Sequence, residues 1–284
     1  SWGGGNADKS RRNKRIMNVP TTLRKIGVKP SKLYGQNFLV DKEVLEKIIE
    51  VANIKKGDRI VEIGPGLGVL TGALMAKGAS VLAIEKQREF VDYLRNKFKH
   101  RNVCVVANNA LFAIPKLTVE PPYSVIANLP YSITSPVINL FLTKAPTPPQ
   151  KMILMVQKEV AERLTAPPRA SERGILTVLV EMLCRGKRIV FSVPPTSFWP
   201  PPKVYSAVIE LTLKEEYSKA MVKKTMAVVK AGFSKKRAQL KNALKPSFID
   251  VEKTLLSLAL DPCLRAEDLT AKDWQRLANH IKHK

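Results

Sequence analysis

Glu62-Ile63-Gly64-Pro65-Gly66-Leu67-Gly68 decides how this chain is read. Arg59 to Ile63 forms a short apolar strand running into it, and Leu70 to Ala76 resumes helical spacing behind it. Glycines between a strand and a helix let the backbone approach a ligand closely and take positive φ without steric cost. Outward from this loop the same alternation continues. Val44, Leu45, Ile48, Ile49 and Ala52 recur at helical spacing, with Asp41 placed to cap that helix. Beyond the loop, Ser80 to Ile84 reads as strand, Glu89 to Phe98 as helix, Val103 to Ala107 as a third strand and Tyr123 to Ala127 as a fourth. Pro136 to Leu142 is helical, and Lys151 to Val156 is a fifth strand. This order predicts an α/β fold, a parallel sheet with helices on both faces. Such sheets bind ligands at the carboxyl ends of their strands, near the switch in strand order.

Glu85 lies 21 residues after Gly64, at the end of the next strand. A carboxylate there can accept both hydroxyl hydrogens of a ribose. The G-x-G-x-G spacing is one residue shorter than the dinucleotide fingerprint, and no basic residue in the loop meets a pyrophosphate. Both points favour S-adenosylmethionine over a dinucleotide. Gly64, Gly66, Glu85 and the adjoining Lys86 are therefore candidate cofactor residues.

The fourth strand ends in Asn128-Leu129-Pro130-Tyr131. An exocyclic adenine amine is a poor nucleophile, because its lone pair is delocalised into the ring. Hydrogen bonds from that amine to the Asn128 side-chain oxygen and a nearby backbone carbonyl would localise the lone pair and aim it. Pro130 would fix the turn, and Tyr131 would stack on an extruded base. Asn128, Leu129, Pro130 and Tyr131 are thus the candidate catalytic set, acting through positioning and electrostatics.

Past about Val190 the texture changes. Val193-Pro194-Pro195 and Trp199-Pro200-Pro201-Pro202 are extended, and Ala207 to Leu213 is one more strand. From Lys214 onward the pattern is helical only, with an apolar stripe through Val222, Met226, Val229, Phe233, Leu240 and Leu244. The expected organisation is a basic, flexible extension over 1–30, an α/β domain over 31–213 and a helical domain over 214–284.

The chain has 284 residues, with 48 Lys and Arg against 24 Asp and Glu, a net charge of +24. Such a field attracts polyanions, with nucleic acid foremost. Lys219 to Lys245 holds nine basic residues and no acidic one. Lys219, Lys223, Lys230, Arg237 and Lys241 fall on one predicted helical stripe; with Lys235, Lys236 and Lys203 they form the candidate RNA surface, which Arg185, Lys187 and Arg188 extend. No run reaches the roughly 20 apolar residues that span a bilayer, so a soluble, monomeric protein is expected. Cys104, Cys184 and Cys263, and His100, His280 and His283, lack ligand spacing; neither a metal nor a disulfide framework is expected. Ser1 to Pro30 carries eight basic residues and one acid, fitting a processed organellar precursor, a basic RNA-binding arm or a cloning remnant. An organelle is the favoured compartment.

From about Leu33 to its end the chain resembles the KsgA-type rRNA adenine dimethyltransferases, relatives of the Erm methyltransferases and the mitochondrial transcription factor B proteins. Besides the glycine loop and Asn128 to Tyr131, the matching blocks are Gly35-Gln36-Asn37-Phe38-Leu39, Gln157-Lys158-Glu159-Val160, Arg163-Leu164, Phe198 to Val204 with Ser206-Ala207-Val208, Phe233 to Arg237, and Asn242. The resemblance implies a Rossmann-like, S-adenosylmethionine-dependent methyltransferase domain with a small all-helical C-terminal domain. It implies dimethylation of two neighbouring adenines near the 3′ end of small-subunit rRNA, with a role in subunit biogenesis. By motif, Gln36, Asn37 and Leu39 would hold the cofactor, Glu85 its ribose and Asn128 the target amine. Two positions depart from the family's pattern. Gln87 stands where the family usually has Asp, and so does Asn109, at the position that accepts from the cofactor's adenine amine. An amide accepts there without charge assistance. Two readings stand: an active dimethyltransferase, supported by Glu85 and the intact tetrapeptide, and a non-catalytic rRNA-binding or organellar transcription protein on the same fold, supported by Gln87 and Asn109.

Overall fold

The structure, a computed structural model, describes residues 16–28, 36–235 and 237–284. The chain divides into two compact units, Ser1–Lys158 with Ile189–Glu210, and Glu159–Arg188 with Leu211–Lys284.

The first unit carries α1 (Val19–Lys25), β1 (Phe38–Leu39), α2 (Lys42–Ala52), β2 (Arg59–Ile63), α3 (Val69–Ala76), β3 (Ser80–Glu85), α4 (Arg88–Lys97), β4 (Val103–Ala107), α5 (Ala110–Ala113), β5 (Tyr123–Asn128), α6 (Thr134–Thr143) and β6 (Lys151–Gln157). A seven-stranded sheet has the order β4-β3-β2-β5-β6-β9-β7, in which β7 is Cys184–Val193 and β9 is Ser206–Leu213, while the short β8 (Phe198–Trp199) pairs antiparallel with β1. The pairs β4–β3, β3–β2, β2–β5 and β5–β6 are parallel. The chain runs outward from β2 through β3 to β4, then returns to β5 on the other side of β2. That reversal puts the ligand crevice beyond the carboxyl ends of β2 and β5. Strands covered on both faces read as unbroken apolar runs: Val61, Ala83 and Val125 are fully buried, as are Ile153 and Leu154 in β6. The Asp41 carboxylate caps α2, accepting from the amides of Glu43 at 3.0 Å and Val44 at 3.4 Å. At the start of α3, Gly68 has φ of 69°, and a Cβ there would lie 2.6 Å from Leu94 Cδ2 and 2.7 Å from Phe98 Cε2. Only glycine lets α3 and α4 pack this tightly behind the loop.

Five expectations need correction. The extension over 1–30 is not wholly loose. Val19–Lys25 is a helix capped by Asn18, with Val19 and Leu23 each 1% exposed in a small core with Val40, Leu67 and Phe90. Its basic composition obscured two buried positions one helical turn apart. Second, the stretch after β6, where no strand or helix is expected before the texture changes near Val190, forms α7 (Lys158–Thr165), α8 (Ile175–Leu183) and β7. Third, the expected boundary at 213/214 marks the end of β9, yet the compact units group 159–188 with the C-terminal helices. Fourth, the region past Lys214 is not purely helical: α9 (Lys219–Gly232), α10 (Leu240–Leu244), α11 (Val251–Ser257) and α12 (Ala271–His280) are joined by an antiparallel pair of two-residue strands, β10 (Phe248–Ile249) and β11 (Lys282–His283). Fifth, the basic stripe is interrupted. Helix α9 stops at Gly232, so Lys219, Lys223 and Lys230 share one face, while Arg237 and Lys241 lie beyond a turn. Gly232 sits where a Cβ would be 2.4 Å from the Trp274 ring, and the buried face of α9 is Thr225, Val228, Val229 and Gly232, rotated from the expected one.

In the second unit, Arg173 is fully buried. Its guanidinium donates to the carbonyls of Ala166 at 2.9 Å and Leu269 at 3.0 Å, and to Glu181 Oε2 at 2.8 Å. Glu181 Oε1 in turn accepts from the Ala271 amide at the start of α12, at 3.1 Å. A buried charge is tolerated only when paired and hydrogen-bonded in this way.

Candidate active site

A cavity of about 240 Å³ opens at the carboxyl ends of β2, β3 and β5, within the first unit. It is lined by every residue expected to hold a cofactor, namely Gln36, Asn37, Leu39, Gly64, Gly66, Glu85, Lys86, Asn109 and Asn128, together with Leu129, Pro130 and Tyr131.

Its floor is the glycine loop. Gly64 and Gly66 have φ of 65° and 55°. A Cβ on Gly64 would sit 3.5 Å from Pro130 Cδ, so the loop and the tetrapeptide abut. A Cβ on Gly66 would meet the Phe38 ring at 3.2 Å. Glu85 closes one side. Its Oε1 accepts from the backbone amides of Lys86 at 2.8 Å and Gln87 at 2.9 Å, and its Oε2 from Gly66 at 3.2 Å. Burial pushes the Glu85 carboxyl above its ordinary range, while these three amides pull it back down. The carboxylate is thus oriented before any ligand arrives, and of its roughly four lone-pair sites one, on Oε2, is left to accept from a ligand hydroxyl. Gln36 donates its amide to Gln87 Oε1, so the Gln at the departing position is tied to the opposite wall.

On the other side, the Asn128 amide nitrogen donates to the Asn37 carbonyl at 3.2 Å. With its nitrogen committed, the side-chain oxygen is the group left to accept. Tyr131 is held by its hydroxyl, 2.7 Å from Ser206 Oγ. Pro130 O accepts from Ile133 N at 3.1 Å and Thr134 Oγ1 at 3.2 Å, which locks the turn after the strand. Asn109 caps α5, its Oδ1 accepting from the Leu111 amide at 3.0 Å.

Sequence reasoning missed Glu62, Phe38 and Asn108, all of which line the cavity. Glu62 is 2% exposed and accepts from Thr71 Oγ1 at 2.6 Å. Desolvation by burial, reinforced by the neighbouring Glu85 charge and opposed by the Thr71 hydrogen bond, pushes its carboxyl up to about 8. A lone acid inside the apolar run Arg59-Ile60-Val61-Glu62-Ile63 was the available signal.

The candidate RNA residues lie elsewhere. Lys203, Lys219, Lys223, Lys230, Lys235 and Arg237 are exposed. Lys241 pairs with Glu252 at 3.4 Å, and Lys187 turns inward to the Ala166 carbonyl at 3.3 Å. Lys236 lies outside the described residues. Among the described residues no His, Cys, Asp and Glu cluster could hold a metal ion, and no helix is long and apolar enough to cross a membrane.

A parallel sheet with a G-x-G-x-G loop on β2, a ribose-ready acid on β3 and Asn-Leu-Pro-Tyr closing β5 defines a Rossmann-like methyltransferase. The family profile described as ribosomal RNA adenine dimethylase matches residues 28–283. The chain is 38% identical over 273 residues to "Ribosomal RNA small subunit methyltransferase A" of Clostridium botulinum, covering 93% of this chain and 98% of that one. It is 35% identical to the protein of that name in Alkaliphilus oremlandii, covering 92% and 95%. Among solved structures, a dimethyladenosine transferase from Plasmodium falciparum superposes with a TM-score of 0.71 at 27% identity, covering 84% of this chain and 95% of that chain. The 23S rRNA methyltransferase ErmE follows with 0.67 at 25%, covering 86% and 99%. The chain belongs to the ribosomal RNA adenine dimethylase family: it is an rRNA adenine dimethyltransferase that uses S-adenosylmethionine.

Proposed function

We propose that this chain dimethylates the N6 amines of two neighbouring adenines near the 3′ end of small-subunit rRNA, in the course of subunit biogenesis. The observation that carries this reading is the Asn128 amide, pinned by its nitrogen to the Asn37 carbonyl beside the glycine loop. Its oxygen accepts one hydrogen of the adenine amine. Pro130 O is already engaged, so the Leu129 carbonyl accepts the other. These two acceptors draw the lone pair out of the ring and aim it, the Tyr131 ring stacks on the base, and the proton leaves to solvent after the amine becomes cationic. S-adenosylmethionine supplies an activated methyl group on a sulfonium; Glu85 holds its ribose, Gly64 and Gly66 admit it closely, and Gln36, Asn37, Leu39 and Lys86 complete its walls. Asn109 faces its adenine, with Oδ1 already serving as a helix cap. A carboxylate at that position would keep a second oxygen for the adenine amine.

Methyl transfer from labelled S-adenosylmethionine to unmethylated small ribosomal subunits tests this reading, with Asn109→Asp alongside. The wild type is expected to transfer methyl groups, and Asn109→Asp to bind the cofactor roughly five- to tenfold more tightly, about 1 kcal/mol from the added charge-assisted bond. Silence from both proteins, with subunit binding intact, would establish the non-catalytic reading instead.

The basic face of α9 is the proposed phosphate contact. Reversing Lys219, Lys223 and Lys230 to Glu is expected to weaken binding to the small subunit and to flatten the logarithmic salt slope by about two to three. An unchanged slope in a salt titration would move the RNA surface elsewhere.

A further inference from the structure

We propose that Tyr205 is a stacking platform for the nucleobase next to the methylated adenine; the role rests on reading the cavity as an adenine methyl-transfer site. Tyr205 precedes Ser206, which opens β9 and whose hydroxyl lies 2.7 Å from the Tyr131 hydroxyl. Its own carbonyl accepts from the Lys158 amide at 2.9 Å, immediately past the end of β6. In the sheet β5, β6 and β9 are successive neighbours. Asn128 aligns with Met155 on β6 and Tyr205 with Lys158, three residues further on, so Tyr205 stands two strands over and roughly 14 Å from Asn128 by backbone, at the same end of the sheet.

The side chain itself faces solvent. Tyr205 is 54% exposed and Val204 is 45% exposed, and Lys203 before them is exposed as well. A single exposed apolar residue asks for no explanation. Here two stand in sequence, one of them aromatic, on a backbone tied to Lys158 and one residue from the partner that holds Tyr131. A ring presented this way has few torsions to immobilise, so little entropy opposes its use in binding.

The chemistry of the partner follows. Sequence-reading proteins engage unpaired RNA by stacking splayed bases on aromatic rings and meeting the phosphates with Lys or Arg. A stacked base contributes about 1–3 kcal/mol, roughly a 5- to 150-fold change in affinity. Every base has a π-face, so the ring sets the position of the strand rather than the identity of the base. Lys203, two residues earlier, is placed to meet the phosphate of the stacked nucleotide. One cavity must serve two neighbouring adenines. A platform beside it holds the waiting or finished neighbour while its partner occupies the cavity.

The test uses the full chain with unmethylated small ribosomal subunits, following steady-state methyl transfer, subunit binding by sedimentation and S-adenosylmethionine affinity by calorimetry. Tyr205→Ala is expected to raise KM for the subunit about tenfold, to weaken sedimentation binding in step and to leave cofactor affinity unchanged. Tyr205→Phe is expected to restore what the alanine variant loses. An active alanine variant that binds subunits like the wild type overturns the platform alone. So does a phenylalanine variant no better than alanine, or a cofactor affinity that drops with subunit affinity. A wild-type protein that binds subunits but transfers nothing overturns the reading of the cavity, and this role with it.

Discussion

Replacing Asn128 with alanine is expected to slow methyl transfer by about 10²- to 10³-fold while small-subunit binding stays near the wild-type level. The effect is large because this family's chemistry leaves the protein little else to do. No strong general base is required, so catalysis comes from two acceptors that orient one amine. Asn128 provides the one that alanine can remove. The phosphate contacts proposed for the exposed lysines are untouched by the change, and contacts of that kind supply a large share of affinity for a nucleic acid. Single-turnover transfer at saturating cofactor, set beside sedimentation binding, separates the two quantities. If affinity falls as far as the rate does, Asn128 is a binding residue and the assignment fails.

A second large effect concerns stability and acidity at Glu62. In the folded chain this carboxyl is pushed up to about 8 from an ordinary 4.5. Below 4.5 both folded and unfolded chains hold the proton, and nothing is lost. Between 4.5 and about 8 only the folded chain holds it, so unfolding releases a proton. Stability therefore falls as pH rises through that window, by about 1.4 kcal/mol per unit where the difference is one full proton. Glu85, raised by burial, works in the same direction. Glu62→Gln keeps an acceptor for Thr71 but cannot ionise. Denaturant unfolding at several pH values is expected to give a clearly shallower decline for the glutamine variant, and a higher stability than wild type near pH 8. Parallel curves for the two proteins would show that Glu62 ionises without penalty.

Both predictions draw on parts of the molecule that differed in how readable they were. Strands β2, β3, β5 and β6 were legible because they are buried almost throughout, so each reads as an apolar run; the edge strand β4, with Cys104 and Ala107 exposed, was legible from its valines. The cavity was legible for a related reason: Gly64 directly follows one such strand, Glu85 and Asn128 end two others, and the parallel topology carries strand ends to one edge. What was missed breaks those patterns. Ile175 to Leu183 is apolar except for Thr177 and Glu181, too short and too apolar to separate a helix from a buried strand, whereas β7, Cys184-Arg185-Gly186-Lys187-Arg188, opens too polar to read as a strand. The end of α9 at Gly232 is not legible because Phe233 keeps the helical spacing; that the Trp274 ring packs against Gly232 is a long-range contact. The burial of Glu62 is likewise a property of the folded site, hidden until α3 brings Thr71 over it.

Arg173 has a consequence for how this protein can be made. Its guanidinium joins residues of 159–188 to the Leu269 carbonyl, near the far end of the chain. The helical unit is therefore stitched from an internal segment and a terminal one, and neither part is a detachable cassette. While the chain is being synthesised, Arg173 emerges almost a hundred residues ahead of its last acceptor. Until that later stretch has emerged, Arg173 has only its local partners, the Ala166 carbonyl and Glu181, and its third acceptor is missing. This rRNA methyltransferase thus completes its second unit only once Leu269 and the start of α12 have been synthesised.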